Sequence, residues 1–471
     1  MNHKFNALEY NKDDTFSECS YTFDGNENEG WKIYRNGELY LNLSHGYKLL
    51  KTLACGVCST DIDRRFLPFP LPQIIGHELI ARDLNTNKKY AVEINDTYLA
   101  RGSQYLDEFC NTGIPTHSPE RMVLGIDRLP GGFGPYILAP KNAMIDIDGL
   151  DENISVLTEP FAASLQAIIP FPPNNNTEVA VLGPRRLGSL IIGALSIYRK
   201  SSGKNFKIYA LARHDHLLSL SLKLGADEAI DLRKGDEKIK NRFDIVYDTT
   251  ANPDGFEKAL EYSNRVVHLK STNGQTVTGI RKMTELVVDE ISILPYNTQN
   301  LDFHWDGEFY NNQEIYISPT LKEKFSSLPD RNLYFPNNEF EIKDLLNSNP
   351  FKNRLPRFDL AIVSTLEEID FVLRPFKNSE ESLLRPRGAI LFDGEPKNNP
   401  FLNFLASGKI LNSSRCGDFH LAIKLLKENK ELANNISKNM ISHTYHNNDI
   451  EKAFQKAKER DSIKVVIKFN E

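Results

Sequence analysis

Residues 54–78 concentrate the groups of this chain that can do chemistry: Cys55, Cys58, Thr60 and Asp61, then the triplet Gly76-His77-Glu78. Thiolate, imidazole and carboxylate are the ligands that zinc accepts. A hydroxyl two residues beyond a ligand cysteine can pass a proton to something held on the metal. Cys-x-x-Cys has three readings. A structural zinc knuckle needs a second ligand pair, and the sequence has no second Cys-x-x-Cys. A thioredoxin-like redox pair opens a helix after a strand, whereas Thr60-Asp61 and a proline-rich loop follow here. The third reading takes one of the cysteines, with His77, as part of a catalytic site that keeps a position open for substrate. His77 and Glu78 are neighbours, and neighbours on an extended chain point to opposite faces. Both reach one metal only if the chain bends there, which Gly76 permits.

A second constellation is GlyProArgArgLeuGly, 183–188. It follows a strand-like run, GluValAlaValLeu (178–182), and precedes a helix-like one, 189–200. In that context the amides at a helix start bind a pyrophosphate. Gly183, Arg185, Arg186, Leu187 and Gly188 are the candidate cofactor contacts, and an ordinary strand–turn–helix is the competing reading. Arg185 stands where the middle glycine of the usual fingerprint lets the backbone approach the phosphates. Its guanidinium either crowds them or supplies a charged contact instead. Beyond the next strand, where an acid would bind the ribose of NAD, stands Arg213. That favours a 2′-phosphate, hence NADP over NAD, unless Arg213 is a solvated surface residue.

The elements that must position these groups fall into two kinds. Residues 1–50 read as β-rich, with 47–53 feeding Cys55. Three prolines make 66–75 a rigid loop followed by a strand, and 89–100 and 131–138 read as further strands. From 158 onward strands alternate with helices: strands at 178–182, 207–211, 244–249 and 265–270, helices at 158–168, 189–200, 216–225 and 255–263. Such alternation predicts a parallel, doubly wound sheet, so the class is α/β with a β-rich companion domain. Residues 290–400 break the rhythm. Within them ArgPheAspLeuAlaIleValSerThr (357–365) echoes ArgPheAspIleValTyrAspThrThr (242–250), and 387–394 echoes 265–270. Buried parallel strands look alike, so the echo is open between chance and partial duplication. The tail reads as helices at 419–432 and 450–459 and a strand at 464–469.

The 471 residues allow two to three domains. A net charge of -6 and the lack of a basic block argue against a nucleic-acid binder. No apolar run approaches the length of a membrane span, and the polar N-terminus lacks a signal peptide's apolar core. Five cysteines, an odd number, fit a reduced cytoplasmic protein.

Taken in order, GlyValCysSerThrAsp (56–61), GlyHisGlu (76–78), GlyGlyPheGlyProTyr (131–136), ThrGluProPheAla (158–162), the loop at 183–188, PheAspIleValTyrAsp (243–248) and SerSerArgCysGly (413–417) resemble the zinc-dependent medium-chain dehydrogenase/reductase family. The resemblance implies a GroES-like catalytic domain (1–165 and 433–471) and a Rossmann domain (166–290 and 400–432), with the active site in the cleft between them. Residues 291–399 are left as an insertion of unassigned role. It makes Cys58 the ligand and Cys55 a core residue, with His77, Glu78 and Glu159 completing the metal's donors. Thr60 becomes the proton-relay hydroxyl. Asp63 stands where many members carry the outer relay histidine. The loop that often holds four cysteines for a structural zinc shows Gln104, Asp107, Cys110 and Ser118, so one catalytic zinc and no structural zinc are expected. The implied activity is hydride transfer between NADP or NAD and an alcohol, with a lean to polyols because Glu159 resembles the polyol, sugar and threonine branches. The implied partners are the small alcohol or carbonyl substrate and further copies of the chain. Arg185, Asp63 and the insertion keep a second class in view, a cofactor-binding regulator or pseudoenzyme on the same fold.

Overall fold

The computed structural model describes residues 2–470 except 271–274, 298, 303–312, 327, 329–330, 349–354, 356 and 377–381. Much of the aromatic, Asn-rich run at 295–313 therefore lies outside the described residues. The chain divides into two compact units, 1–162 with 417–471 and 163–416.

The first unit opens with an antiparallel meander of β1 (Asn2–Tyr10), β2 (Phe16–Asn26), β3 (Gly30–Arg35) and β4 (Glu38–Leu43). Alternation drives it: Tyr21, Phe23, Trp31 and Ile33 turn inward and are buried, while intervening residues stay partly exposed. Next comes the long strand β5 (Tyr47–Val57), whose run LeuAlaCysGlyVal is buried on both faces. The remaining strands here are β6 (Glu78–Asp83), β7 (Lys89–Val92), β8 (Asn95–Asp96), β9 (Met122–Val123), β10 (Tyr136–Pro140) and β11 (Met144–Asp146). The segment 66–75 forms no strand of its own. It is an irregular arm pinned by Arg64, a fully buried guanidinium that donates to the carbonyls of Phe69, Pro70 and Ile126 and to the Gln73 amide oxygen.

The second unit is built on strands β12 (Glu178–Leu182), β13 (Lys207–Ala212), β14 (Glu228–Asp231), β15 (Phe243–Asp248), β16 (Ser263–Leu269), β17 (Ser292–Pro295), β18 (Glu314–Ile317), β19 (Asn332–Tyr334), β20 (Phe358–Val363), β21 (Leu384–Phe392) and β22 (Ile410–Ser413). Among the described residues they form one sheet in the order β14-β13-β12-β15-β16-β22-β17-β21-β20-β18-β19. The first six positions, numbered along the chain, give the order 3-2-1-4-5-6 of a dinucleotide-binding sheet. The described residues of 291–399 continue that sheet rather than forming a separate body. Their β17 pairs antiparallel with β22 and parallel with β21, so the edge that β22 would expose is covered.

The chain then returns to the first unit. The tail expected as one helix over 419–432 is two, Phe419–Glu428 and Lys430–Met440, separated by Asn429. Strands β23 (Ile441–His446) and β24 (Lys464–Lys468) follow. They complete a sheet in the order β11-β7-β6-β5-β24-β23, with β10 also on β5. Thus β5 lies between a strand just after it in sequence and the last strand of the chain, and this sandwiching creates the site described next.

Candidate active site

β5 ends at Val57, and Cys58 is the N-cap of a single helical turn, Ser59–Ile62. Asp61 makes this turn. One carboxylate oxygen accepts from the Cys58 N–H at 2.8 Å, the reaching-back half of a capping box. The other accepts from the Gly76 N–H at 3.2 Å and faces Nδ1 of His77, also at 3.2 Å but off the line of a good hydrogen bond. Asp61 is fully buried. It ties together the two segments that carry the thiol and the imidazole.

Gly76 has φ +95, and a Cβ there would overlap the Phe133 ring and the Cys55 sulfur. That backbone, open to glycine alone at low cost, is the bend that turns His77 and Glu78 inward together. Both are buried. The Cys58 sulfur, a His77 ring nitrogen and a Glu78 oxygen lie within 4.8 Å of one another, and Cys58 is partly exposed. Donors on a tetrahedral zinc, each at most about 2.3 Å from it, stand about 3.3–3.8 Å apart, so donors separated by up to 4.8 Å close in by about 1 Å to share one ion. The donor set is borderline-soft, as zinc prefers. The Asp61 carboxylate stands 3.2 Å behind the imidazole, the place from which a ligand histidine is usually supported. Burial lowers the His77 pKa, but the Asp61 carboxylate and the Cys58 thiol outweigh it and hold the imidazole well above its ordinary range.

Glu78 is held by a partner that the sequence reading missed. Lys464 of β24 reaches both of its oxygens, at 2.7 and 2.5 Å, and both residues are buried. The register explains the meeting: Glu78 lies opposite Gly56 on one side of β5, while Val465 lies opposite Val57 on the other. Gly56 has no Cβ because the Glu78 carboxylate occupies that space, 2.4 Å from where one would stand. The only hint in sequence is a lysine directly before the apolar run Val465–Ile467, since lysines are rarely buried unless paired. Asp61 was legible as part of the Thr-Asp step but carried no assigned role.

Cys55 is fully buried in β5, and burial pushes its thiol well above the ordinary range. It packs on Gly76 and Gly132 and is outside the donor group. Glu159 lies in the first turn of the helix Thr158–Gln166, partly buried and outside the three-donor group. Thr60 is partly buried one residue before Asp61, and Asp63, the C-cap of the same turn, is exposed. In the loop where four cysteines would sit, Asp107 accepts from the Cys110 N–H at 2.8 Å and from the Ser118 hydroxyl. Cys110 is buried, and burial pushes its thiol up to about 11. Hydrogen bonds staple that loop together.

In the second unit the helix Arg186–Ser202 starts directly after Arg185, its N-cap. Gly188 meets the Thr249 hydroxyl, 2.5 Å from where a Cβ would be, so its glycine serves the close approach of helix to strand. Arg186 and Leu187 occupy the first turn and are partly exposed. Arg213 is exposed just beyond β13, and the nearby carboxylates Asp215 and Asp231 both pair with Arg233.

No family model matches the chain. Among curated proteins it is 26% identical over 271 residues to D-arabinitol dehydrogenase 1 of Uromyces fabae, covering 54% of this chain and 75% of that protein. It is 28% identical to L-galactonate-5-dehydrogenase of Escherichia coli over 154 residues, covering 31% and 44%. The chain thus spans between about half and three quarters of these relatives. Among solved structures, L-idonate 5-dehydrogenase of Escherichia coli superposes with TM-score 0.58 at 15% identity, covering 100% and 99%. A putative zinc-binding dehydrogenase of Sinorhizobium meliloti bound to NADP gives 0.53 at 13% identity, covering 99% of each. The rspB dehydrogenase of Escherichia coli with NADH gives 0.53 at 15%, also covering 99% of each. The chain therefore has the fold of the zinc-dependent medium-chain dehydrogenases, a GroES-like part with a Rossmann part. Its sequence resembles that family, and it is alcohol dehydrogenase-like.

Proposed function

We propose that this medium-chain dehydrogenase-like chain is a zinc-dependent oxidoreductase that transfers hydride between a nicotinamide cofactor, NADP in preference to NAD, and a polar alcohol of the polyol class. The observation that carries the reading is the convergence of Cys58, His77 and Glu78 around a buried, Asp61-braced imidazole. When bound, zinc would act as a Lewis acid that acidifies an alcohol or polarises a carbonyl. Cys58 and His77 would hold it, with Glu159 as a further carboxylate. Glu78, the third converging donor, is paired with Lys464 and would complete the donor set by turning from the ammonium to the ion. The Thr60 hydroxyl takes the alcohol's proton and hands it outward, and Asp63, exposed on the same turn, is the next acceptor. Because Asp63 replaces a histidine, the outermost transfer runs through a carboxylate.

In the Rossmann unit the amides at 186–188 and the Arg185 guanidinium bind the pyrophosphate, and Arg213 binds a 2′-phosphate. The relatives' names supply the substrate lean: arabinitol and galactonate are both polar alcohols. The test is a purified protein analysed for zinc and assayed at 340 nm with NADP and NAD against a polyol and sugar-acid panel. One zinc per chain and oxidation of a polar alcohol, both lost in Cys58→Ser, support the reading. Stoichiometric zinc and cofactor binding without turnover of any alcohol would favour a regulator on the same fold.

A further inference from the structure

The continuation of the second unit's sheet repeats its beginning in detail. In the first half, parallel strands run in the order β13-β12-β15-β16, and in the continuation they run β19-β18-β20-β21. The match extends to individual atoms. The N–H of Glu178, which opens β12, donates to Asp244 Oδ2 at 2.8 Å, and the N–H of Glu314, which opens β18, donates to Asp359 Oδ2 at 2.8 Å. The Tyr209 hydroxyl of β13 donates to the Glu178 carboxylate at 2.5 Å, as the Tyr334 hydroxyl of β19 donates to Glu314 at 2.7 Å. Tyr209 contacts the Phe243 ring at 5.2 Å, and Tyr334 contacts the Phe358 ring at 5.5 Å. The ladder slips after the same phenylalanine in both, between Phe243 and Ile245 and between Phe358 and Leu360. Past the strand ends, Lys270 N–H reaches Asp248 O and Asp393 N–H reaches Val363 O.

Buried parallel strands share apolar composition for general reasons. No general reason puts a Glu-Tyr-Phe-Asp constellation, with the same bonds and the same register slip, on four strands in the same order. The echo of 242–250 in 357–365 belongs to this constellation.

The two copies differ at their carboxyl edge, where such sheets receive phosphates. After β12 comes the glycine-bearing turn and a long helix. After β18 come Ser318, Pro319 and Thr320 and, among the described residues, only the single helical turns Pro319–Leu321 and Lys322–Phe325. Into that place projects Glu368, from the helix Leu366–Leu373 after β20. One of its oxygens accepts from the hydroxyls of Ser318 and Thr320, the latter at 2.9 Å. The other accepts from the Ser364 N–H at 2.7 Å and the Ser364 hydroxyl at 3.1 Å. Four donors from the two loops flanking the central strands thus surround one internal anion. Burial alone would raise its pKa, yet the hydrogen bonds, led by Ser318, hold the carboxyl below its usual range.

We infer that residues 314–392 are a second, degenerate copy of the nucleotide-binding half-sheet, in which Glu368 fills the anion seat from within, so that the module caps the sheet edge and binds no nucleotide. The inference stands on the geometry of the second copy, and only its cofactor stoichiometry rests on the reading of the first. Two measurements on the full chain test it. NADPH or NADH titrated by its fluorescence should saturate at one equivalent per chain, and two equivalents would overturn the inference. No binding at all would refute the cofactor reading of the first copy, and the second measurement then decides. Glu368→Ala should gain one calorimetrically saturable site for inorganic phosphate relative to wild type. Failure to gain it would show that these donors are not a phosphate-type seat. Glu368→Ser serves the same comparison if the alanine variant does not fold.

Discussion

Replacing Lys464 by methionine isolates what the last strand contributes to the metal pocket. The ammonium lies 2.7 and 2.5 Å from the two Glu78 oxygens, with 3% and 1% of the side chains exposed. At 2.7 Å and an effective dielectric constant of about 20, the attraction is about 6 kcal/mol. Dehydrating two ions costs several kcal/mol each, so the intact pair is close to neutral for stability. Methionine changes that balance. It fills the space of the lysine stem but leaves the Glu78 carboxylate buried without its counter-charge, at a cost of about 3–5 kcal/mol. The expected result is a loss of that size in urea unfolding of the zinc-free protein, followed by far-UV circular dichroism. Zinc should recover part of it, because a divalent ion among Cys58, His77 and Glu78 supplies the missing positive charge. Adding Glu78→Gln should recover most of it without metal, because the double variant has no buried charge to compensate. A loss below about 1 kcal/mol for Lys464→Met without zinc, or an undiminished loss in the Glu78→Gln background, would refute the argument.

Asp61→Asn should weaken zinc binding by about 10–100-fold, since it removes the anion behind the His77 imidazole. Chelator competition reads this directly, and unchanged affinity would mean that His77 needs no such brace. Gly56→Ala places a methyl 2.4 Å from a Glu78 oxygen and should cost about 1–3 kcal/mol. A variant as stable as wild type in the same urea assay would show that the carboxylate moves aside freely. The pH dependence of the second unit should carry the mark of Asp248, whose carboxyl is pushed up to about 6 by burial. Its folded value lies above the unfolded one, so between about pH 4 and 6 the folded state holds the extra proton. Stability therefore declines as pH rises through that window, by up to about 3 kcal/mol. Asp248→Asn should remove the decline, and parallel pH profiles for the two proteins would contradict this.

Much of the site was legible in the sequence because its parts are local. Cys58, Thr60 and Asp61 share one turn, and Gly76, His77 and Glu78 share one bend, so spacing narrows the donors to two short segments, and the family resemblance chooses Cys58 over Cys55. The strand–turn–helix around 183–188 and the alternation that follows it are also short-range patterns, and they specified the parallel sheet. The expectation of one helix over 419–432 missed the break at Asn429, because apolar spacing continues across it while the backbone does not.

Pairing across the sheets decided the rest. Lys464 meets Glu78 from 386 residues away because β5 accepts β6 on one edge and β24 on the other. Nothing in either segment specifies that neighbour. The role of 291–399 was likewise closed to sequence, since one echoed strand is compatible with chance. It took strand order, register and the paired Glu–Asp and Tyr–Glu bonds to show a repeated half-sheet. Hydrophobic and turn patterns encode each element through contacts a few residues apart. Which charges come to lie together in a buried space depends on strand neighbours, and strand neighbours are fixed only when the whole sheet closes.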